Sequence, residues 1–344
     1  MLKQIHRSKE DLWWTESCLR LRDFTMTKEG DYDWWRQHDL DRGHLNEEQR
    51  RYFEDEALWL CARCEDVGQR NGRKLAHMAE DGKALVHKIR AEHGSKRGGA
   101  KSARKLPSTA FGGLREVVHL VRGCRVVLIR NVAYLYGLAN GTRGKLVGVV
   151  YGQGGVGTMP EAIVVEVPKY CGPSFYPDEP KWVPLLPLYT TKENTTMWRH
   201  QFPLVAGFAL TVNKAQGLTI EEGVVIHLVG GKRFRPAAKH GLPFVAWTRS
   251  ESFAMTAFKN LPPWGDFVQG RQSDMLRMRQ EFTQRLQKMH ERTLAKHSDL
   301  TTPEKEAQAH EQWTKEQAQQ AKRQKKEGPR LPCFACAADL AAWA

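Results

Sequence analysis

The spacing of apolar and polar positions changes several times along the chain, and each change marks a segment. From Glu10 to about Ala79, charged and aromatic residues recur at helical spacing. One apolar stretch interrupts them, Ala57 to Cys61 in ALWLCARCEDVGQRN, which reads as a buried strand running into a helix. Between Gly123 and about Pro187 the pattern becomes one of strands, CRVVLIRN, KLVGVVY, AIVVEV and WVPLLPL, separated by NG, GQGG and YPDEP turn signals. These predict a small β-barrel or sandwich in which Asn140-Gly141 supplies the left-handed backbone of a tight turn and Gly144 extends it. From Phe202 to about Leu261 strand and helix patterns alternate, so the β-rich unit is expected to be inserted into an α/β domain. Beyond Pro262-Pro263, Met275, Met278, Phe282, Leu286 and Met289 fall three and four apart and predict one amphipathic helix. Thr301-Thr302-Pro303-Glu304 then offers the cap, first-turn proline and glutamate of a second, polar helix.

A chain of 344 residues with 41% hydrophobic residues can fill two cores and an extension, not three full domains. Its 53 Lys+Arg against 39 Asp+Glu leave +14, which points to a polyanionic partner, nucleic acid ahead of an acidic membrane surface. Eleven Trp among so many basic residues suit stacking on single-stranded bases, although core packing uses the same residues. The run RAEHGSKRGGAKSARK, Arg90 to Lys105, holds six basic residues against one acid and reads as a surface loop, either solvated or touching phosphate; Lys101, Arg104 and Lys105 are its candidate contacts. KRQKK at Lys322 to Lys326 is either a phosphate-binding or nuclear-import patch or a solvated helix end.

Seven cysteines without an apolar signal stretch after Met1 indicate a reducing, intracellular setting. No apolar run approaches the roughly 18 residues that span a bilayer. The pairs Cys61/Cys64 and Cys333/Cys336 contain ligand types for a four-thiolate zinc site. Most of the chain separates them, however, and the first pair sits at a predicted strand end, so no metal is expected.

The strongest local signal is FALTVNKAQGLTI, Phe208 to Ile220. An apolar strand ends in Thr211, and a turn with Asn213, Lys214, Gln216 and Gly217 follows before Thr219, presenting exposed donors to phosphate or sugar. The segment resembles motif V of the superfamily 1B helicases of the PIF type, in which His-Lys-Ser-Gln-Gly follows the strand. Asn213 replaces the His and Ala215 the Ser, while Lys214, Gln216, Gly217, Leu218 and Thr219 fit. Further on, GLPFVAWTRSESF, Gly241 to Phe253, resembles motif VI, where an apolar strand delivers an arginine to the ATP γ-phosphate; Arg249 takes that place and Thr248 keeps the hydroxyl of the usual Ser. Gly137, Leu138, Asn140, Gly141 and Gly144 match the passage that opens the family's SH3-like insertion, domain 2B. VEVPKYCGPSF and RHQFPL (Arg199 to Leu204) fit the stretch before motif V, and the likeness covers roughly Asp55 to Leu261.

The resemblance implies an α/β fold: a second RecA-like domain of the P-loop NTPase type, with an inserted SH3-like β-barrel and a helical C-terminal extension. The expected divisions are a helical segment at 1–54, the first part of RecA-like domain 2A at 55–122, the insertion at 123–200, the rest of domain 2A at 201–262, and a charged extension at 263–344. Family function would be 5′ to 3′ unwinding of DNA driven by ATP and Mg²⁺, in replication, repair, recombination or telomere maintenance, in the nucleus or mitochondrion. By the resemblance, Arg249 is the arginine finger; Gln216 and Gly217 approach ATP with it; Thr211, Asn213, Lys214 and Thr219 meet single-stranded DNA. No G-x-x-x-x-G-K-S/T occurs. Gly152 to Thr158 (GQGGVGT) lacks the Lys and Gly141 to Lys145 (GTRGK) the first Gly, so both read as turns, and no apolar strand ends in an Asp-Glu pair. The chain alone is therefore expected to be no ATPase and to need a first RecA-like domain. The alternative is a non-enzymatic single-strand-binding module.

Overall fold

The structure, a computed structural model, describes residues 10–95, 100–229, 235–239 and 241–296, together with Glu311. It divides into two units, Ile5–Gln272 and the remainder. Helices α1 (Leu12–Asp23), α2 (Asp33–Gln37) and α3 (Glu47–Asp55) open the larger unit. Their starts carry the side chains a helix N-terminus needs: Asp11 accepts from Trp14 N at 2.9 Å, and Asn46 with Gln49 forms a reciprocal capping box at 2.8 and 3.1 Å. Strand β1 (Leu58–Cys61), buried along its whole length, then leads into α4 (Cys64–Gly82) as the apolar run predicted.

An antiparallel region follows, comprising β2 (Val86–Arg90), β3 (Glu92–Ser95), the short helix α5 (Ala100–Lys105), β4 (Val117–Val121), β5 (Arg125–Leu128), β6 (Arg143–Val150), β7 (Ala162–Glu166), β8 (Trp182–Leu185), β9 (Leu188–Thr191), β10 (Met197–Gln201) and β11 (Leu204–Ala206). The chain then returns with β12 (Ala209–Thr211), β13 (Val224–His227), α6 (Leu242–Trp247), β14 (Thr256–Phe258) and α7 (Trp264–Gln269). Strands β12-β1-β13-β14 form one sheet in which every neighbouring pair is parallel. The antiparallel strands form a five-stranded sheet, β11-β5-β6-β7-β8, a three-stranded sheet, β3-β10-β9, and the pair β2-β4. The mixed α/β architecture with a β-rich interruption between α4 and β12 is thus present.

The antiparallel strands run from Val86 to Ala206, wider than the limits 123–200 expected for the insertion, because β3 pairs with β10 and β11 pairs with β5. The two regions have separate cores. Leu60, Ala209, Val225 and Ala257 are buried within or beneath the parallel sheet, while Ile89, Val118, Leu146, Ile163 and Phe202 fill the antiparallel one. A third apolar block of Trp35, Trp247 and Phe267, with ring centroids 5.4 to 6.1 Å apart, ties α2, α6 and α7 together. The N-terminal helices therefore belong to the body of the larger unit: Leu40 N donates to Phe258 O at 2.8 Å beside β14.

Of the two glycine-rich runs read as turns, Gly152–Thr158 is one, whereas only the start of Gly141–Lys145 is: Arg143, Gly144 and Lys145 already belong to β6, where Gly144 pairs with Val126 and does not extend the turn. Gly155 N donates to Gly152 O at 3.0 Å, and Gly141, at φ +89°, sits in the reversal before β6. In the second unit, α8 (Asp274–Lys296) is a single helix, and Met275, Met278, Phe282, Leu286 and Met289 are exposed on it. Thr301 to Glu304, Lys322 to Lys326, Cys333 and Cys336 lie outside the described residues.

Candidate nucleic-acid interface

Open parallel sheets bind ligands beyond the carboxyl ends of their strands, where loops alone close the surface. At that edge β1 delivers the start of α4, and β12 delivers the turn from Val212 to Ile220. The turn is fixed from within: Val212 N donates to Cys61 O at 3.0 Å, Lys214 N to Thr211 O at 2.9 Å and Leu218 N to Ala215 O at 3.0 Å. Val212 and Ala215 are buried, so Asn213, Lys214, Gln216 and Gly217 are turned outward, with Thr211 and Thr219 half-buried. Gly217 takes φ +89°, a backbone that side chains other than glycine's strain to adopt. The outward set proposed from the sequence is therefore brought together on one turn.

Asn71, which the sequence did not single out, anchors this turn's strand. Its Oδ1 accepts from Phe208 N at 3.1 Å and Ala209 N at 2.8 Å, and its Nδ2 donates to Ala206 O at 3.1 Å and Ala209 O at 3.2 Å. One side chain on α4 thus pins the crossing from β11 to β12. A cleft of about 480 Å³ opens beside it, lined by α4 from Cys64 to Ala76, the beginning of β4, and Thr211 and Lys214. Arg115 shares the cleft with Lys214, and no Asp or Glu lines it. Although Lys214 is exposed, partial desolvation against the cleft and then the charge of Arg115 hold its ammonium below its ordinary pKa. Arg115 could not be found by motif, because it enters from a segment far away in sequence.

Other candidates are placed differently. Arg104 is paired with Glu116 at 2.7 Å across the entry to β4, and Ala103 beside it is fully buried, so the expected loop is in part a packed helix. Lys105 is exposed; the side chain of Lys101 lies outside the described residues. Cys61 is buried in β1 and its thiol is pushed up to about 12 by burial, while Cys64 is exposed one turn on. Among the described residues no cluster of three or more His, Cys, Asp or Glu could hold a metal ion.

Motif VI departs most from expectation. Arg249 follows a helix, α6, and not a strand: Gly241, at φ +82°, precedes it and Pro243 occupies its first turn. Arg249 as a whole is 8% exposed. Its Nε donates to Val245 O at 2.8 Å, one Nη to Leu218 O at 2.9 Å and the other to Thr248 Oγ1 at 2.9 Å. Ile220 N returns a bond to Arg249 O at 3.0 Å. Arg249 therefore clasps the far end of the motif V turn, with N–H donors given to two backbone carbonyls and to Thr248 Oγ1. Gln216 and Gly217, expected beside ATP, are exposed.

No family model matches the chain. Over 199 residues, 57% of this chain and 26% of its relative, it is 26% identical to the human ATP-dependent DNA helicase PIF1. Among solved structures it matches the Pif1 helicase from Candida albicans with a TM-score of 0.57 at 20% identity, over 84% of this chain and 60% of that one. It matches the Bacteroides Pif1 helicase in complex with ADP-AlF3 and single-stranded DNA with a TM-score of 0.51 at 18% identity, over 78% and 52% of the two chains. The chain thus spans about a quarter of the human relative and 52 to 60% of these two structures. In sequence and in fold it resembles the C-terminal half of a PIF-type DNA helicase.

Proposed function

We propose that the chain acts as the second motor domain of a PIF-type 5′ to 3′ DNA helicase, with the turn Thr211–Thr219 gripping the phosphates of single-stranded DNA and Arg249 coupling that turn to nucleotide. The observation that carries this is the direct link between the two motif segments: Arg249 bonds Leu218 O, and Ile220 N bonds Arg249 O. A shift of one segment must move the other. ATP and Mg²⁺ supply the driving reaction, and the phosphate loop and metal ligands come from a first RecA-like domain, in cis or in trans, because no G-x-x-x-x-G-K-S/T occurs in these 344 residues. Charged nucleotide oxygens would bond the guanidinium more strongly than the carbonyls of Val245 and Leu218 that it holds here.

A non-enzymatic single-strand-binding module is the second reading, favoured by the same burial of Arg249. The two separate cleanly. The purified chain should bind a fluorescent oligothymidylate with salt-sensitive affinity, and Lys214→Ala should flatten the slope of log K against log salt by about 0.7, one phosphate contact on a single strand. Added first-domain protein should confer DNA-stimulated ATP hydrolysis if the motor assignment holds and none if the chain is a binding module. Absence of any binding at low salt would refute both.

A further inference from the structure

The cleft beside Lys214 has a wall that packing does not account for. Gly68 and Gly72 both line it, one turn apart on α4, and a Cβ at either would have no atom within 4 Å. Within a helix each glycine costs about 1 kcal/mol relative to alanine, which would fit here without contact. Their effect is to leave a strip of bare helix backbone facing the cleft. The lining is also apolar where β4 begins, at Val117 and Val118, and at about 480 Å³ the space lies within the roughly 300–1,000 Å³ typical of small-molecule sites. In the same lining Lys214 and Arg115 bring two positive charges together with no carboxylate among the lining residues, and their proximity helps hold the Lys214 ammonium below its ordinary pKa.

We propose that this cleft receives a nucleobase turned out of a bound single strand, the ring lying against the glycine strip of α4 and its phosphate held between Lys214 and Arg115. The proposal rests on the single-strand binding argued above and adds to it a base pocket in addition to phosphate contacts. The side-chain amide of Asn71 is spent on the backbone of Ala206, Phe208 and Ala209, so its donors and acceptors are not available to read a base edge. The pocket accordingly accepts bases by shape and stacking, with weak preference among them.

The test compares an oligothymidylate with an abasic oligonucleotide of equal length on the whole chain, by anisotropy and by the rate at which iodoacetamide alkylates Cys64, which lines the cleft. Wild type should hold the oligothymidylate about tenfold more tightly, the order of one stacked base, and only that oligonucleotide should slow Cys64. Gly68→Leu/Gly72→Leu, which fills the strip with good helix formers, should abolish the difference while the thermal melt shows the fold intact. Equal binding of the two oligonucleotides by wild type, a result that needs no variant, overturns the base pocket and leaves the phosphate-gripping turn standing. No binding of either removes both. Protection of Cys64 by thymidine monophosphate but not by the oligonucleotide would assign the cleft to free nucleotides and refute the strand as its source.

Discussion

Replacing Asn71 with leucine should cost more than any surface change of similar size, because the amide oxygen accepts from two main-chain donors at the start of the motif V strand. Phe208 N and Ala209 N both donate to its Oδ1, at 3.1 and 2.8 Å. Left without an acceptor, each would cost about 1–3 kcal/mol if sealed from water; the adjoining cleft admits some water, so about 2–4 kcal/mol in all is expected. The carbonyls of Ala206 and Ala209 lose less, since carbonyls carry a second lone pair. At about 2–4 °C per kcal/mol for a unit of this size, the melting temperature should fall by roughly 5–15 °C. Asn71→Asp, which keeps the acceptor but sets a carboxylate oxygen against the carbonyls of Ala206 and Ala209, should recover only part of that. The assay is thermal unfolding followed by circular dichroism, with oligothymidylate affinity measured well below the transition. A leucine variant that melts within 1 °C of wild type would refute the idea that this side chain pins the strand crossing.

Two further outcomes follow from the clasp and from four imidazoles. Arg249→Ala should destabilise the larger unit by about 2–4 kcal/mol in urea unfolding, because it strips partners from Val245 O and Leu218 O; an unchanged midpoint would show that the guanidinium contributes nothing at rest. His38 is stacked on Phe253 at 4.0 Å and bonds Thr256 O at 2.7 Å, and burial, partly offset by that bond, holds its pKa below the ordinary value. His87, His93 and His119 are lowered too, burial being the first cause in each. The unfolded chain binds these protons first, so their stabilising contribution is complete above about pH 6.5 and is lost as pH falls through the depressed folded values. Melting temperature should therefore drop between pH 7 and 5, and His38→Gln should flatten that drop; an unchanged slope would exclude His38 as a contributor.

Much of the parallel sheet was legible because its strands are short apolar runs ended by turn residues, as at Ala57 to Cys61 and Phe208 to Thr211. The same rule failed at LPFVAW. Six apolar residues show no period, and only the left-handed Gly241 before them and Pro243 in the first turn make them a helix. The charge of Arg104 is visible in sequence, whereas its ion pair with Glu116, twelve positions on, is not. The cleft was illegible for a related reason: α4, the approach to β4 and the turn after β12 meet only in three dimensions, and a glycine pair in a helix has no signature until its surroundings are known.

The parallel sheet also dictates an order of assembly. Trp59 of β1 pairs with Ala209 of β12, yet the whole antiparallel region is made between them. Contacts so distant in sequence are slow to form. On a growing chain β1 emerges early, apolar and with both edges unpaired, and stays so until residues beyond Ala206 leave the ribosome; closing the antiparallel sheet, whose last strand β11 ends three residues before Ala209, brings the missing neighbour to it. Length changes in that region would add little to the cost of closure, about 0.6 kcal/mol per doubling. A chain stopped short of β12 would instead carry an open hydrophobic strand edge, the form of partly made protein most prone to aggregate.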